Sequence, residues 1–419
     1  MNQKTERSTL HAYLGRMTHK FDVTTKRVVV TLLSGILFLL SACGPGSVVV
    51  TTNTVHPVTF THLYLISTGP DGLTNKRLSE LNTNSGQVIW QQQLANDLLG
   101  YGISSEGNIY LPAQDGNIFV FRGRDGQPLW HTTTMHEPRG FTSVWLSAYQ
   151  NSIIESVTNT PNSTGGLSAL DAKTGNVMWH TPLSCDASSS NDCAAGGRLM
   201  LLANGTIYGL AQDGLSAWNP VNGHFLWRNP NYKLNGQPQS MVVSHGNIYI
   251  TNFYPEVDVL NASSGNFLHR LKPLDSQDST AVVYDVAAGE NTVYVLGGRA
   301  VFAYRTSDDS LLWKQSFSYH SGGTIYAGES GIYVNYYDIS MGRTSANTHQ
   351  GYNLYALDPA NGHQLWRQQA PVGGLEQYPV EFANLLCFGG SGNVYGLQSR
   401  DGKQLWQFYR SGYNSLLGG

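Results

Sequence analysis

The chain has 419 residues, a formal net charge of −3 and only 13% Asp, Glu, Lys and Arg. Charge this sparse and this balanced forms none of the basic patches or stripes that bind nucleic acid. With 46 glycines and 23 tyrosines, the composition argues against long solvent-facing helices and for many short strands joined by turns.

In chain order, Lys20, Lys26 and Arg27 come first, followed by an almost unbroken apolar run over residues 28–42. That length suits the apolar part of an export signal and is short for a membrane span. The run ends Leu40-Ser41-Ala42-Cys43, which resembles the bacterial lipobox. The resemblance implies a lipoprotein signal peptide over residues 1–42, with Met1 or Met17 as its start, and Cys43 as the lipidated residue. Two or more acyl chains on one cysteine hold a protein stably on a membrane. Residues 44–57 show no core pattern beyond the valines at 48–50 and read as a flexible tether. About 14 extended residues span roughly 50 Å.

The remaining residues, 58–419, are periodic. One phrase recurs: an alternating apolar stretch, a polar turn with glycine, then tryptophan four residues later. It ends at Trp90, Trp130, Trp179, Trp227, Trp313, Trp366 and Trp406, and an eighth copy puts His269 in the tryptophan position. Successive ends lie 40, 49, 48, 42, 44, 53 and 40 residues apart. Such periods predict one four-stranded blade per repeat, hence an all-β, eight-bladed β-propeller of antiparallel blades. The turn glycines are Gly86, Gly126, Gly175, Gly223, Gly265, Gly362 and Gly402, with Asp309 in the remaining copy. Their fixed place predicts a left-handed backbone there, which only glycine adopts without steric cost. Asp171 and Asp358 are placed to bind the turn backbone two residues on. The tryptophans, and His269 in their place, are expected to dock one blade on its neighbour.

Ahead of each phrase a second strand is predicted, as at residues 63–66, 108–111 and 331–335, and an inner strand before that. Residues 96–100 (NDLLG) read as the inner strand of blade two. The tail repeats them almost verbatim as 414–418 (NSLLG) and is predicted to supply blade one's missing inner strand, with residues 48–55 the alternative. Closure of that kind removes exposed sheet edges.

The phrase A-x-D-x-x-T-G-x-x-x-W resembles the repeat of pyrroloquinoline-quinone (PQQ) propellers. Ala169, Asp171, Thr174, Gly175 and Trp179 match it position by position. Ala356, Asp358, Gly362 and Trp366 match with Asn361 in the Thr place. One branch of that family, the quinoprotein dehydrogenases, implies PQQ over Ca²⁺ beneath a disulfide between adjacent cysteines. This chain has no Cys-Cys pair and no CxxCH haem site. The other branch, an eight-bladed lipoprotein of the barrel-assembly machinery, implies a membrane protein partner bound through loops and no cofactor.

Catalytic motifs are missing. There is no GxSxG, HExxH, P-loop, EF-hand loop or GxGxxG. Residues 389–392 (GGSG) read as a turn. His131 and His136, five apart, lack the Cys or carboxylate partners of a metal site. Glu376 and Glu381 read as solvated. Cys185 and Cys193 flank a polar seven-residue loop, DASSSND, and read as a disulfide in an oxidising compartment or as two free surface thiols.

Insertions point to a partner surface. In an up-and-down blade, the loops joining strands two and three share a face with those joining successive blades. Residues 69–76, 159–165 and 338–352 lengthen such loops in blades one, three and seven, and the 185–193 loop links blades three and four. Insertions on one face of a repeat array often mark a binding surface, the alternative being tolerated loop drift, since loops accept insertions cheaply. The longest carries Met341, Arg343, His349 and Tyr352, a mix found in interfaces. The expectation is therefore a monomeric, non-catalytic envelope lipoprotein. It sits outside the cytoplasm, anchored through Cys43, and binds a protein by its propeller-face loops. An outer-membrane barrel assembly factor, a PQQ-dependent dehydrogenase and a small-ligand or glycan binder are the alternatives.

Overall fold

The computed structural model describes residues 61–69, 74–133, 141–160, 164–183, 199–211, 214–232, 240–251, 255–273, 282–317, 320–339, 350–369, 379–390, 392–409 and 414–418. They form eight four-stranded antiparallel sheets. Seven are consecutive in sequence, as in blade two: inner strand Ile103–Ser105, second Asn108–Pro112, third Asn117–Arg122 and outer Pro128–Thr133. Burial falls outward. The second strands are nearly all buried, as at Ile248, Tyr249 and Ile250, while the outer strands expose alternate residues.

Blade one is built from both ends of the chain. Its second, third and outer strands are Leu63–Ser67, Arg77–Leu81 and Val88–Gln93, and its inner strand is the tail, Asn414–Gly418. The register pairs Leu63 with Gly418 and Ser67 with Asn414. Leu416 is buried in one cluster with Leu63, Leu65 and Trp406. The tail therefore closes the ring, as its sequence predicts. The parallel with residues 96–100 holds less well. That segment is a turn, in which only Leu98 bridges Ala113, and blade two's inner strand starts at Ile103. Three bonded residues are enough there because Leu98 is still fully buried against Leu111 and Ala113.

The recurrent phrase has one geometry. Gly175 has φ 73° and Gly362 φ 74°. The amides of Lys173 and Ala360 donate to Asp171 Oδ1 (3.1 Å) and Asp358 Oδ1 (2.8 Å). After each turn the third-to-outer pairing slips by one residue. This bulge brings the tryptophan opposite a small residue in several blades: Ala169, Ala217, Ala303, Ala356 or Gly396. The alanine of the repeat thus makes room for the indole.

Candidate functional site

The blade seams fix how neighbouring blades stand against each other. Each tryptophan leans on the turn glycine of the next blade. A Cβ on Gly126 would lie 2.4 Å from Trp90, one on Gly362 2.4 Å from Trp313, and one on Gly402 2.6 Å from Trp366. The pattern continues across the chain ends, where Gly86 meets Trp406, whose indole donates to Thr83 O at 2.7 Å. Trp179, Trp313 and Trp366 donate to the equivalent carbonyls of Pro220, Pro359 and Ser399. In five blades a buried tyrosine of the second strand stands 5.8–6.1 Å from its tryptophan. The sequence shows these tyrosines but not that they join the docking layer. One seam differs: between blades five and six, His269 Nε2 lies 2.6 Å from Asp309 Oδ2.

By strand order, the ends of the second-to-third connections of blades one, three and seven lie on one face; the 185–193 loop lies outside the described residues. The turns joining inner to second and third to outer strands lie on the opposite face, where Leu63 also enters the ring. Blades three and seven rise highest on the loop face. The second strand of blade three is Ser152–Thr160 and its third Thr164–Asp171; blade seven has Ile332–Ile339 and Gln350–Leu357. Second strands elsewhere have five or six residues. Residues 159–165 and 338–352 are therefore not simply loops. Pairing continues through Asn159–Thr164 and Ile339–Gln350, so the insertions extend two hairpins. In a ring of eight, blades three and seven stand across the axis from each other.

Tyr352 lies in the extended third strand of blade seven, opposite Tyr337. Met341, Arg343, His349, Cys43, Cys185, Cys193 and His136 lie outside the described residues. At the foot of the 69–76 loop, Lys76 is buried and its ammonium donates to Asn96 O (2.7 Å) and Leu98 O. This ties the blade-one loop to the start of blade two.

A groove of about 350 Å³, which the sequence does not reveal, opens by blades four and five between Asn229, Asn231, Tyr232, Phe267 and Arg270. Asp258, 3% exposed, is the charge beneath it. It accepts from Arg270 Nε at 2.6 Å and Tyr232 OH at 2.8 Å. Burial, then the Asp258 carboxylate, pushes the Tyr232 phenol far up. Hydrogen bonding and the charge of Asp258 hold Arg270 firmly protonated, and its guanidinium lies 5.5 Å over the Phe267 ring. Such a carboxylate needs both donors, since an unpaired buried charge is costly.

Glu381 corrects an expectation. It is buried, not solvated. It accepts from the backbone N–H of Glu329 (2.7 Å) and Ser330 (3.2 Å) and from Tyr333 OH (2.8 Å). It is a clamp between blades eight and seven, whose partners are mostly backbone and so leave no sequence motif.

The pair of adjacent cysteines that the quinoprotein resemblance implies as a cofactor cap is missing from the sequence. The described cysteine, Cys387, is fully buried in blade eight, with its thiol pushed far up by burial. His131 is stacked on Phe119 at 5.3 Å. Among the described residues no three His, Cys, Asp or Glu side chains gather to hold a metal.

Residues 46–270 and 256–409 match the family model described as outer membrane protein assembly factor BamB. The outer membrane protein assembly factor BamB of Yersinia pestis is 26% identical over 254 residues, 58% of this chain and 61% of that protein. Quinoprotein ethanol dehydrogenase of Pseudomonas aeruginosa is 29% identical over 150 residues, 32% of this chain and 23% of that enzyme. The chain thus spans about three-fifths of the first relative and a quarter of the second. The crystal structure of BamB from Moraxella catarrhalis matches with a TM-score of 0.51 at 13% identity, covering 75% of this chain and 88% of that one. At that identity the likeness speaks for the fold alone. The family match runs through all eight docking phrases, and the chain belongs to the PQQ-like propeller family described as outer membrane protein assembly factor BamB.

Proposed function

We propose that this chain is a non-catalytic, monomeric lipoprotein of the bacterial cell envelope, anchored through Cys43, that serves as a protein-binding scaffold in outer-membrane protein assembly. The observation that carries the reading is the family match over residues 46–409, which takes in all eight docking phrases. The extended hairpins of blades three and seven support the loop face as the binding surface, since they are the largest departures from an otherwise uniform ring. The Cys185–Cys193 disulfide belongs to the same reading, because an exported chain meets an oxidising compartment.

The test is site-specific photo-crosslinking in the native cells, with the reactive group placed in turn at 343 and 349. Recovery of an outer-membrane assembly component, lost when the 338–352 hairpin is shortened, is expected. A folded, membrane-bound chain that crosslinks to no protein from either position sinks the scaffold reading. Cys43→Ala is expected to move the chain from the membrane to the soluble fraction. The ethanol dehydrogenase match favours one other reading. It is tested by ethanol-dependent dye reduction with added PQQ and Ca²⁺, which the missing cysteine cap predicts to be nil.

A further inference from the structure

A second groove, of about 580 Å³, opens on the turn face at the seam between blades four and five. One wall is blade four, from its second strand Thr206–Ala211 and its outer strand Phe225–Asn229; the other is the turn of blade five at 261–263. Trp227 leans on Gly265 like its counterparts. What differs is its N–H. In four other seams the indole N–H is spent on a carbonyl of the next blade's turn: Trp179 on Pro220, Trp313 on Pro359, Trp366 on Ser399 and Trp406 on Thr83. Between blades two and three the Tyr110 hydroxyl takes the equivalent carbonyl, Ala172 O, at 3.0 Å. Ala262 O holds that place between blades four and five. Among the described residues, neither Trp227 Nε1 nor the hydroxyl of Tyr208, the tyrosine beside it, donates to that carbonyl. All three groups border the groove.

We propose that this groove binds an uncharged sugar ring, with the Trp227 N–H and the Tyr208 hydroxyl as its polar anchors. None of the ten lining residues carries a charge, so a charged ligand would give up hydration with no counter-charge to receive it. Tyr208 is 3% exposed, and burial raises its phenol, which therefore stays a neutral donor. The other polar lining is amide and hydroxyl, from Asn204, Thr206 and Ser263, groups that both donate and accept. Leu226, 48% exposed, and the edge of the indole add an apolar wall. A sugar ring presents the matching surfaces, with hydroxyls around its rim and C–H on its faces. The groove stays open at Gly246, where a Cβ would meet no atom within 4 Å.

The size of the groove is that of an ordinary small-ligand site, about 300–1,000 Å³. Open on one side, it covers only part of a ring, and two anchoring hydrogen bonds set a millimolar affinity. Each of them is worth about two- to tenfold in affinity. The groove lies on the face opposite the hairpins of blades three and seven. Sugar and protein partner therefore do not compete, and the sugar site stands apart from the scaffold reading.

The experiment is NMR of the indole N–H groups in the full chain, carrying isotope-labelled tryptophan and titrated with glucose and with N-acetylglucosamine. The Trp227 signal is assigned by its loss in Trp227→Phe. At least one of the sugars is expected to shift that signal in a saturable, millimolar titration, and to leave the Trp366 signal, whose N–H is spent on Ser399, in place. Tyr208→Phe is expected to weaken binding about two- to tenfold. Leu226→Glu, a change on an exposed side chain, should weaken it at least as much. Leu312→Glu, the same change in blade six at 41% exposure, should leave it unaltered. If neither sugar shifts an indole signal of the folded parent, the proposal is overturned. Binding that Leu226→Glu leaves intact, or that Leu312→Glu weakens equally, also overturns it, by placing the sugar elsewhere. The two leucine variants decide the question even where Tyr208→Phe or Trp227→Phe does not fold.

Discussion

The turn glycines show how strictly one residue controls a seam. Gly362 holds φ 74°, and a Cβ there would come 2.4 Å from the Trp313 indole. Alanine in a left-handed conformation costs about 1–2 kcal/mol. Forcing a methyl into a packed contact adds about 1–3 kcal/mol. Gly362→Ala is therefore expected to lower the unfolding free energy by about 2–5 kcal/mol, read from the urea midpoint at unchanged m-value. A loss below about 1 kcal/mol would mean the indole swings aside cheaply and the seam is not close-packed. This part of the molecule is legible in the sequence because glycine at φ > 0 and tryptophan beside it allow almost no substitutes. Glu381 is illegible for the opposite reason. Its ligands are two backbone amides and a phenol from another blade, and backbone donors constrain no residue type. His269 and Asp309 are visible as two anomalies. Joining them needs the rule that each outer strand docks on the next blade's turn, which the structure supplies.

At the scale of strands, the outer and second strands follow the repeat, and the inner strands do not. Blade two shows why. Its inner strand is three residues long and is preceded by a buried turn at Leu98, so neither length nor alternation announces it. The tail is the exception, since no other segment of the described chain pairs with the inner edge of Leu63–Ser67. Ending the chain at residue 413 would leave that edge bare and remove Leu416 from its cluster with Trp406 and Cys387. Loss of one buried leucine side chain alone costs about 2–5 kcal/mol. The shortened chain is expected to unfold at clearly lower urea, and to aggregate through the exposed edge. A synthetic peptide of residues 410–419 should restore the midpoint by pairing with the same edge. A truncated chain with the parent's midpoint would show that the tail is an ornament and that blade one closes otherwise.

Over the whole ring, seam chemistry and pH response are linked, because the docking layer contains phenols as well as indoles. Tyr64, Tyr110, Tyr249, Tyr294 and Tyr333 occupy equivalent places on second strands of different blades and are buried. Tyr110 OH donates to Ala172 O, in the turn of the next blade, at 3.0 Å. Burial, with the Glu80 carboxylate adding to it, pushes Tyr64 up to about 12. Burial does the same to Tyr249 and Tyr304, and to Tyr101, where a hydrogen bond to Val144 partly opposes it. An unfolded tyrosine titrates near 10. Between those values the folded chain holds protons that the unfolded chain releases, so unfolding sheds protons and rising pH favours it. The stabilisation is complete below pH 10 and is lost as pH climbs toward 12. Because the phenols are spread over many seams, no single blade can ionise and leave the others shut. Tyrosinate absorbance and loss of β-sheet circular dichroism are therefore expected to rise together in one steep step between pH 10 and 12. Buried phenols that titrate gradually near 10 while the sheet signal persists would show that water reaches the seams freely. The ring would then be held by its indoles alone.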